Sequence, residues 1–557
     1  MMQHGWSRTA KWHAWALLVG LGLPQVAVAE GDPMGHSDRT ASLYRDVLRL
    51  GVDGDPLVPL SVLGQQERVE ISAAGGLRVL GTGDGQVEFR VQGGLEVRAD
   101  DAKPAVLQHY VVLAHAPDWD FDVLRQKRAL WKERGLAIKT VTSGATYSLK
   151  GRAFDTRQTL LCLDAIYNDH AAAEATAHGL EQQFGEDLQT HAMVGQPPSA
   201  TLIAKMPTGE VRAADVLWFE AAGKGLLHVV GTRHGQRTER ELPGRVYVVP
   251  SSDRGLEVVS EAALEQILEG VVASEIFHSA PEAALRAQAV AARTDMLAKV
   301  GTRHATDPFA ICSEVHCQAY SGAGRVSPRI AQAVQDTRGL VLVDGDGRLI
   351  DAYYHAVSGG HTENNELVWP GRPQQALRGV ADLVGNAKDL LAGAATDESV
   401  AALLGAKDES WAAASGLNAE ACRWRTEKSA AEIRDSAQLA RAVQAIRVTQ
   451  RGVSGRAIEV ELTLSDGRKK KIAGELHIRK ALGGSAGPKG LRSSLFLVKP
   501  GPLGSDGAPQ SWIFTGAGFG HGVGMDQTGA LGRAKAGQDF RQILQAYYRS
   551  SRIEKVY

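Results

Sequence analysis

Apolar and polar residues alternate with different periods along the chain, and these periods predict both strands and helices. Between residues 66 and 100, short runs with apolar residues at every second position are separated by glycine pairs, which is typical of antiparallel strands. From residue 280 to Val300, apolar residues recur every third or fourth position, as on a buried helix face. The expected fold class is α+β, with a smaller N-terminal β unit that carries an αβ insertion and a larger C-terminal region of mixed helices and antiparallel strands.

The same patterns divide the chain into segments. Residues 105–215 alternate between the two periods, and the expected elements are strands at 109–114 and 136–142 and helices at 119–134 and 169–184. The predicted organisation is a leader at 1–29, a polar linker at 30–65, the N-terminal β unit at 66–104, the αβ insertion at 105–215, and the C-terminal region at 216–557 with a helical insertion near 383–440.

A single acid, Glu275, stands just before the strongest helix pattern. Ser279 and Glu282 have the spacing of a capping box and Pro281 suits a first turn, so the helix is expected to begin near Ala280, with Glu275 in the loop ahead of it. The dipole at a helix N-terminus favours an ionised acid, whereas burial among apolar neighbours raises a carboxyl pKa. Local sequence therefore leaves two interpretations, an exposed or capping carboxylate and a catalytic acid.

Four potential metal ligands follow this helix, namely His304, Cys312, His316 and Cys317. Imidazole and thiolate are the usual ligands of zinc, and a site with four protein ligands is closed and structural. A catalytic zinc needs an open position, which this pattern does not offer. The alternative is a disulfide between Cys312 and Cys317 in an oxidising compartment, with the histidines as ordinary polar residues.

Two further segments combine glycine with polar or aromatic residues. In GAGFGHGVGMDQTGA, residues 516–530, alternate glycines let the backbone approach another chain or a sugar, and His521 and Gln527 stand out as polar groups. The segment YYHAVSGGHTENNELVW, residues 353–369, offers aromatic, hydroxyl and backbone groups that suit an uncharged sugar chain. The glycine pattern matches neither a Walker A loop nor a Rossmann motif.

Six stretches in order resemble the SpoIID/LytB family, that of stage II sporulation protein D and the amidase enhancers. They are SEIFHSAPEAALRAQAVAART at 274–294, ICSEVHCQAYSG at 311–322, YYHAVSGGHTENNELVW at 353–369, GVSGRA at 452–457, LRSSLF at 491–496 and GFGHGVGMDQTGA at 518–530. The resemblance covers roughly residues 240–557 and does not cover 105–215.

The resemblance implies a peptidoglycan lytic transglycosylase with Glu275 as the single catalytic acid and base. Such an enzyme cleaves MurNAc–GlcNAc strands that lack stem peptides and leaves 1,6-anhydroMurNAc ends. One carboxyl with a raised pKa suffices, because the attacking hydroxyl belongs to the substrate. The resemblance also implies that a structural Zn²⁺ binds in the order His, Cys, His, Cys. Candidate substrate contacts are Gln288, Arg293, Tyr354, Ser358, Gly360, His521 and Gln527.

Two other functions remain open at this point. A glycan-binding enhancer that stimulates a cell-wall amidase and cleaves nothing is the main alternative, with that amidase as partner. A zinc peptidase or amidase would need an open metal site near an acid, and the HExxH motif is absent. Residues 105–215 loosely resemble a SPOR (sporulation-related) domain, which binds peptide-free glycan, although βαβ patterns of this kind also occur in insertions without such a role.

The first residues predict export. Arg8 and Lys11 precede an apolar run that ends at Ala27-Val28-Ala29, the pattern of a cleavable signal peptide. The run is shorter than the ~20 apolar residues that a spanning helix requires. The mature protein is therefore expected in the periplasm, in the cell envelope or outside the cell, without a membrane span. With 62 basic and 63 acidic residues, the chain has no excess charge that would favour nucleic acid as a partner.

Overall fold

A computed structural model describes thirteen stretches of the 557-residue chain. They are residues 27–29, 43–44, 48–82, 86–186, 188–223, 225–253, 255–314, 316–369, 371–393, 395–406, 408–483, 490–505 and 507–557. Residues 1–26 of the predicted signal peptide lie outside the described residues. The described part contains twelve α-helices and mainly antiparallel sheets, which confirms the α+β class.

The largest sheet has 14 strands, and its first half precedes the insertion. These strands are β1 (Ala27–Ala29), β2 (Arg49–Leu50), β3 (Pro56–Gln66), β4 (Arg68–Ser72), β5 (Leu77–Thr82), β6 (Gln86–Val91) and β7 (Gly94–Lys103). The linker predicted at 30–65 is wrong from residue 56 onward. Val58, Leu60 and Val62 of β3 are buried at alternate positions, so this segment is a core strand despite its two prolines.

The insertion forms its own four-stranded sheet, in the order β13-β8-β12-β9. Its elements are β8 (Val106–Pro117), α1 (Phe121–Glu133), β9 (Ile138–Ser143), β10 (Thr146–Leu149), β11 (Arg152–Asp155), β12 (Gln158–Leu163), α2 (His170–Phe184) and β13 (Gln189–Gln196). The four predicted elements are confirmed to within three residues at most boundaries. Several hydrogen bonds attach the insertion to the C-terminal region. They include those from Tyr147 Oη to the Leu297 carbonyl at 2.8 Å and from Thr156 Oγ1 to the Val300 carbonyl at 2.7 Å.

After the insertion, the chain returns to the large sheet. The returning strands are β14 (Ser199–Met206), β15 (Gly209–Ala221), β16 (Leu227–Arg233), β17 (Gln236–Leu242), β18 (Arg245–Pro250) and β19 (Leu256–Ala263). The last residue of β7 pairs with the first residue of β14, so the insertion leaves and re-enters at neighbouring strand ends. The predicted β unit at 66–104 is therefore only part of this sheet, and the boundary predicted at 215/216 falls inside β15.

In the C-terminal region, several helices and one small sheet pack against a central helix, α4, and the sheets at 424–516 have a core of their own. The elements are α3 (Leu264–Glu275), α4 (Glu282–Lys299), β20 (Ile311–Cys312), α5 (Pro328–Asp336), β21 (Leu340–Val343), β22 (Tyr354–His355), α6 (Asp397–Gly405), α7 (Trp411–Ala414), α8 (Ala419–Cys422), β23 (Trp424–Ser429), α9 (Ala430–Ser436), β24 (Val443–Arg451), β25 (Ala457–Leu464), β26 (Lys469–Ala473), α10 (Glu475–Gly483), β27 (Phe496–Pro500), β28 (Ser511–Gly516), β29 (Met525–Asp526), α11 (Gln527–Lys535), α12 (Phe540–Tyr547) and β30 (Arg552–Lys555). The segment at 383–440, predicted as a helical insertion, contains four short helices and the strand β23. None of the described helices is long and apolar enough to cross a membrane.

Helix α4 is buried along most of its length, so its charged residues need partners inside the protein. Arg293 is fully buried, and its Nε and Nη2 donate to the two carboxylate oxygens of Glu265 at 2.8 and 2.6 Å. Tyr557 Oη donates to the same carboxylate at 2.5 Å. Arg293 was predicted to contact substrate, but the structure places its guanidinium in this pair, which joins α3, α4 and the C-terminal residue.

The protein should therefore be less stable when the Arg293 side chain is truncated. A buried pair that loses one partner costs about 3–5 kcal/mol, because the other charge stays buried without compensation. We expect Arg293→Ala to lower the free energy of unfolding by that amount in urea denaturation. The control is Arg286→Ala on the same helix, whose partly exposed ion pairs should be worth less than about 1 kcal/mol. A stable Arg293→Ala variant with a raised KM would instead support a substrate contact.

Candidate active site

Glu275 is the last residue of α3, which corrects its predicted position in a loop. The predicted capping box is also absent, because Pro281 occupies the N-cap of α4 and no side chain caps that helix. The apolar residues Leu264, Leu268 and Val271 recur at helical spacing before Glu275 and extend α3 up to it. At a helix C-terminus the dipole disfavours a carboxylate, so its effect on Glu275 is the opposite of the one expected from sequence.

Two donors hold the Glu275 carboxyl. The Ala319 backbone N–H donates to Oε1 at 3.1 Å, and Gln527 Nε2 lies 3.4 Å from Oε2 and 3.2 Å from the Glu275 carbonyl oxygen. Burial raises the pKa of Glu275 above its usual value, and the nearby charge of Asp295 acts in the same direction. The two donors offset part of this rise. The carboxyl thus has a fixed orientation and an increased tendency to stay protonated.

The loop that carries Ala319 is pressed against α3. Ser321 N–H donates to Ser274 Oγ at 3.2 Å, so both residues of the Ser-Glu pair at the end of α3 accept hydrogen bonds from this loop. Gly270 makes the close packing possible, since a Cβ there would lie 2.4 Å from the Tyr320 ring. The loop at 317–321 is therefore the element that positions the Glu275 carboxyl.

A buried polar network supports the same loop. Tyr354 Oη donates to Gln318 Oε1, and Gln318 Nε2 donates to Asp295 Oδ2. Lys299 Nζ donates to Asp295 Oδ2 at 2.6 Å and to the Cys317 carbonyl at 2.9 Å. Of these residues, sequence reasoning identified Tyr354 as a site residue but missed Gln318, Asp295 and Lys299. Nothing in the local sequence marks these three polar residues as parts of one network, so only the fold reveals their role.

Parallel pairing of β22 with β29 brings the two predicted sugar-binding segments together. Gln527 begins α11 directly after its N-cap Asp526, and Gln527 Nε2 lies 3.3 Å from Oε1 of the buried Gln288 on α4. Three predicted site residues, Glu275, Gln288 and Gln527, therefore form one cluster. Gln527 links the carboxyl to the glycine-rich segment.

His521 lies in the same glycine-rich segment and is neutral. Its Nδ1 accepts a hydrogen bond from Val523 N–H at 3.1 Å. Burial and the nearby Arg456 guanidinium lower the pKa of His521 to about 3. Its ring centroid lies 4.8 Å from that of Trp369. His521 therefore provides a neutral polar surface and does not exchange protons near neutral pH.

Ser358 and Gly360, which were predicted to contact substrate, are buried. Ser358 N–H donates to Asp526 Oδ2 at 2.7 Å, and Gly360 N–H donates to Ser358 Oγ at 3.1 Å. Their polar groups thus hold the turn after β22 in place, and the structure does not expose them to a ligand.

The four predicted metal ligands converge, with their ligand atoms within 4.8 Å of one another. His304 Nε2 lies 3.3 Å from Cys317 Sγ, and His316 Nδ1 lies 3.3 Å from Cys312 Sγ and 3.6 Å from Cys317 Sγ. A tetrahedral zinc ion with ordinary bond lengths separates its N and S ligands by about 3.5 Å. Cys312 and Cys317 are free thiols in this structure. The donor set and its spacing therefore fit a closed tetrahedral zinc site.

The outer contacts of this cluster are also typical of a metal site. Asp307 Oδ2 lies 2.9 Å from His304 Nδ1, which orients the ring so that Nε2 faces the cysteines. Cys317 directly precedes Gln318 and Ala319 in the chain. Whatever holds the cluster together therefore also holds the loop that binds Glu275.

Two protein-family models match the parts of the chain that form this site. The family model described as SpoIID, stage II sporulation protein, matches residues 252–343, which include α3, α4 and the four-ligand cluster. The chain carries a SpoIID/LytB-family domain. A second model, a domain of unknown function (DUF8618), matches residues 363–524, which include Trp369 and His521. The cluster around Glu275 thus draws its residues from the SpoIID match and from segments beyond it.

Three relatives are similar in sequence to parts of this chain. An uncharacterized protein of Brachyspira hyodysenteriae is 28% identical over 314 residues, which are 55% of this chain and 71% of that protein. The amidase enhancer of Bacillus subtilis is 27% identical over 303 residues, 50% of this chain and 39% of that protein. Stage II sporulation protein D of Bacillus amyloliquefaciens is 29% identical over 152 residues, 25% of this chain and 43% of that protein. The last two matches span less than half of each relative.

Metal analysis tests the four-ligand cluster of the SpoIID domain. We expect the purified protein to contain stoichiometric zinc, and we expect Cys312→Ser to lose the metal and to lower Tm. A ligand at about 1,000 times its Kd stabilises the folded state by about 4 kcal/mol. Cys422→Ser, a buried cysteine outside the cluster, is the control and should retain the metal. Metal-free protein with a Cys312–Cys317 disulfide in its peptide map would contradict this assignment.

Proposed function

We propose that the protein is a peptidoglycan lytic transglycosylase in which Glu275 is both the acid and the base. The observation that carries this proposal is the Glu275 carboxyl itself. It is half-buried, its pKa is raised, and two donors hold it at the end of α3. A carboxyl with a raised pKa keeps its proton to a higher pH and can act as a general acid.

The proposed reaction needs no water. The Glu275 carboxylic acid donates its proton to the glycosidic oxygen between MurNAc and GlcNAc, and the bond from C1 of MurNAc to that oxygen breaks. The C6 hydroxyl oxygen of the same MurNAc bonds to C1, and the Glu275 carboxylate takes the hydroxyl proton. The products are a 1,6-anhydroMurNAc end and a free hydroxyl on the leaving GlcNAc, and Glu275 is again protonated.

The surroundings of Glu275 favour one carboxyl over a pair. Hydrolytic glycosidases usually place two carboxylates across the scissile bond. Asp295, an acid within electrostatic reach of Glu275, is 2% exposed and is paired with Lys299. Asp295 therefore cannot approach a sugar or activate water, which supports an intramolecular nucleophile.

Glycan strands without stem peptides are the proposed substrate, and the proposed location is the cell envelope after export. The relatives named stage II sporulation protein D and amidase enhancer support a role in the cell wall. A structural zinc ion in the four-ligand cluster would fix the loop at 317–321 and would take no part in the chemistry, since all four ligand positions are protein side chains.

A non-catalytic enhancer of a cell-wall amidase is the second candidate. The name of the Bacillus subtilis relative, amidase enhancer, favours this function, and the match covers 50% of this chain. In that case the residues around Glu275 would bind glycan strands without cleaving them, and the amidase would be the partner. The two functions differ in whether new chain ends appear.

The Glu275→Gln variant separates the two functions. Removal of a general acid usually costs 10² to 10⁴ in rate, so roughly that loss of anhydroMurNAc ends is expected by mass spectrometry on amidase-stripped strands. The substitution keeps the shape of the side chain, so Tm should stay the same. Glu282→Gln, an exposed acid at the start of α4, is the matched control and should remain active. Wild-type protein that binds strands without forming new ends would be an enhancer.

The pH dependence of cleavage follows from the raised pKa of Glu275. The acid form is required, so the rate should fall as pH rises through that pKa, at a higher pH than for an ordinary glutamic acid. The Gln527 amide lowers the pKa of Glu275, so Gln527→Leu should move the alkaline limb of the kcat profile to still higher pH. Gln444→Leu, an exposed position on β24, is the control. An alkaline limb that moves to lower pH in Gln527→Leu would contradict this assignment.

A further inference from the structure

A large cleft lies between the 14-stranded sheet and the four-ligand cluster. Its volume is about 690 Å³, within the roughly 300–1,000 Å³ that is typical of ligand sites. Strand β17 lines one part of it, and Cys312 and Ser313 line another. Neither Ala319 nor Gln527, which hold the Glu275 carboxyl, lines this space. We call it the β17 cleft, and the proposed function makes no use of it.

Strand β17 presents a row of polar side chains to the cleft. Gln236, Thr238 and Arg240 occupy alternate positions of the strand, so they share one face, and all three line the cleft. Among the described strands, β17 pairs only with β16 and is thus an edge strand of the large sheet. Side chains on one face of a strand repeat about every 6.8 Å, the period of alternate residues in any extended peptide. An extended peptide can therefore lie along β17 with its polar groups in register.

Arg240 brings a positive charge into this row. Its Nη1 donates to the Glu239 carbonyl at 2.9 Å, whereas its buried Nε has no hydrogen-bond partner among the described residues. Burial lowers the pKa of Arg240, because the charge is partly removed from water. Glu314 attracts this charge but is itself exposed. The planar guanidinium is therefore available to a ligand, and a carboxylate matches its geometry best.

The acids inside the cleft leave room for such a ligand. Glu257 is 7% exposed and accepts a hydrogen bond from Ser61 Oγ, and burial raises its pKa to about 8. Asp307 is bonded to His304. Phe309 adds apolar surface beside these groups. The cleft thus combines a cation, hydroxyl and amide groups and an apolar patch, which together suit a short peptide with a free carboxylate.

The wall of the cleft continues into the loop that positions Glu275. Tyr320 N–H donates to the Ser313 carbonyl at 3.4 Å, and Ala323 N–H donates to the Glu241 carbonyl near the end of β17 at 2.8 Å. A Cβ on Gly322 would lie 2.9 Å from the same Glu241 carbonyl oxygen, so the chain after the loop is packed tightly on β17. A ligand in the cleft would therefore contact elements that are hydrogen-bonded to the 317–321 loop and to its continuation.

We propose that the β17 cleft binds a stem peptide released from peptidoglycan, extended along β17 with a carboxylate at Arg240. The inference rests on the proposed function for the identity of the peptide. An amidase that hydrolyses the bond between the lactyl carboxyl and the stem peptide yields both the bare strand and the free peptide. The protein would thus meet its proposed substrate and this peptide together, and the two would bind at different places.

The test is a calorimetric titration of the full chain with the synthetic peptide L-Ala-γ-D-Glu-L-Lys and with the same peptide after amidation of every carboxyl. A charge-assisted hydrogen bond predicts roughly tenfold weaker Kd for the amidated peptide. Arg240→Gln should weaken binding of the free-acid peptide about tenfold and leave the amidated peptide unchanged. Thr238→Tyr fills the middle of the row and should weaken both. Arg237→Gln is the matched control, because this arginine of β17 pairs with Glu70 and does not line the cleft.

The outcomes separate this inference from the proposed function. A preference for free carboxyls that Arg240→Gln abolishes and Arg240→Lys retains supports the site, even if the wild type forms no anhydroMurNAc ends. Unmeasurable binding of the free-acid peptide, or equal binding of the two peptides, overturns the site even if the wild type cleaves strands. An Arg240→Gln variant that keeps the preference also overturns it.

Discussion

The hydrogen bond from the Ala319 backbone N–H to the Glu275 carboxyl depends on the loop at 317–321. The geometry of the rest of the site depends on the same loop. Residues 317–321 lie against the end of α3 because Gly270 leaves room for the Tyr320 ring and Ser274 accepts from Ser321. The four-ligand cluster fixes the start of the same loop. The site is thus built from a helix end and a loop that are joined by backbone contacts.

Electrostatics give Glu275 a different character from the other ionisable groups around it. Asp295 is paired with Lys299, Arg293 is paired with Glu265, and His521 is kept neutral by burial and by Arg456. Glu275 has hydrogen-bond donors but no cationic ion-pair partner among the described residues, and it lies at the unfavourable end of a helix dipole. This environment supports the proposed role of a single carboxyl as acid and then as base.

Sequence patterns predicted the elements with strong periodicity and missed those set by tertiary contact. The helices of the insertion were predicted closely, whereas β3 was taken for a linker because its prolines conceal its alternating burial. The identity of Glu275 was predicted, but its contact with Gln527 spans 252 positions and follows only from the fold. Arg293 and Ser358 were misjudged because residue type does not reveal full burial. The chemical type of a site residue can thus be predicted from sequence, whereas its hydrogen-bond partners cannot.

Burial and position should let the Glu275 carboxyl keep its proton to a higher pH than an ordinary glutamic acid does. Infrared difference spectroscopy between the wild type and Glu275→Gln isolates the carbonyl band of this one protonated carboxyl during a pH titration. We predict that the band persists above pH 4.5, the usual pKa, and disappears at a higher midpoint than the bands of exposed carboxyls. A band that disappears together with those of exposed carboxyls would contradict the account.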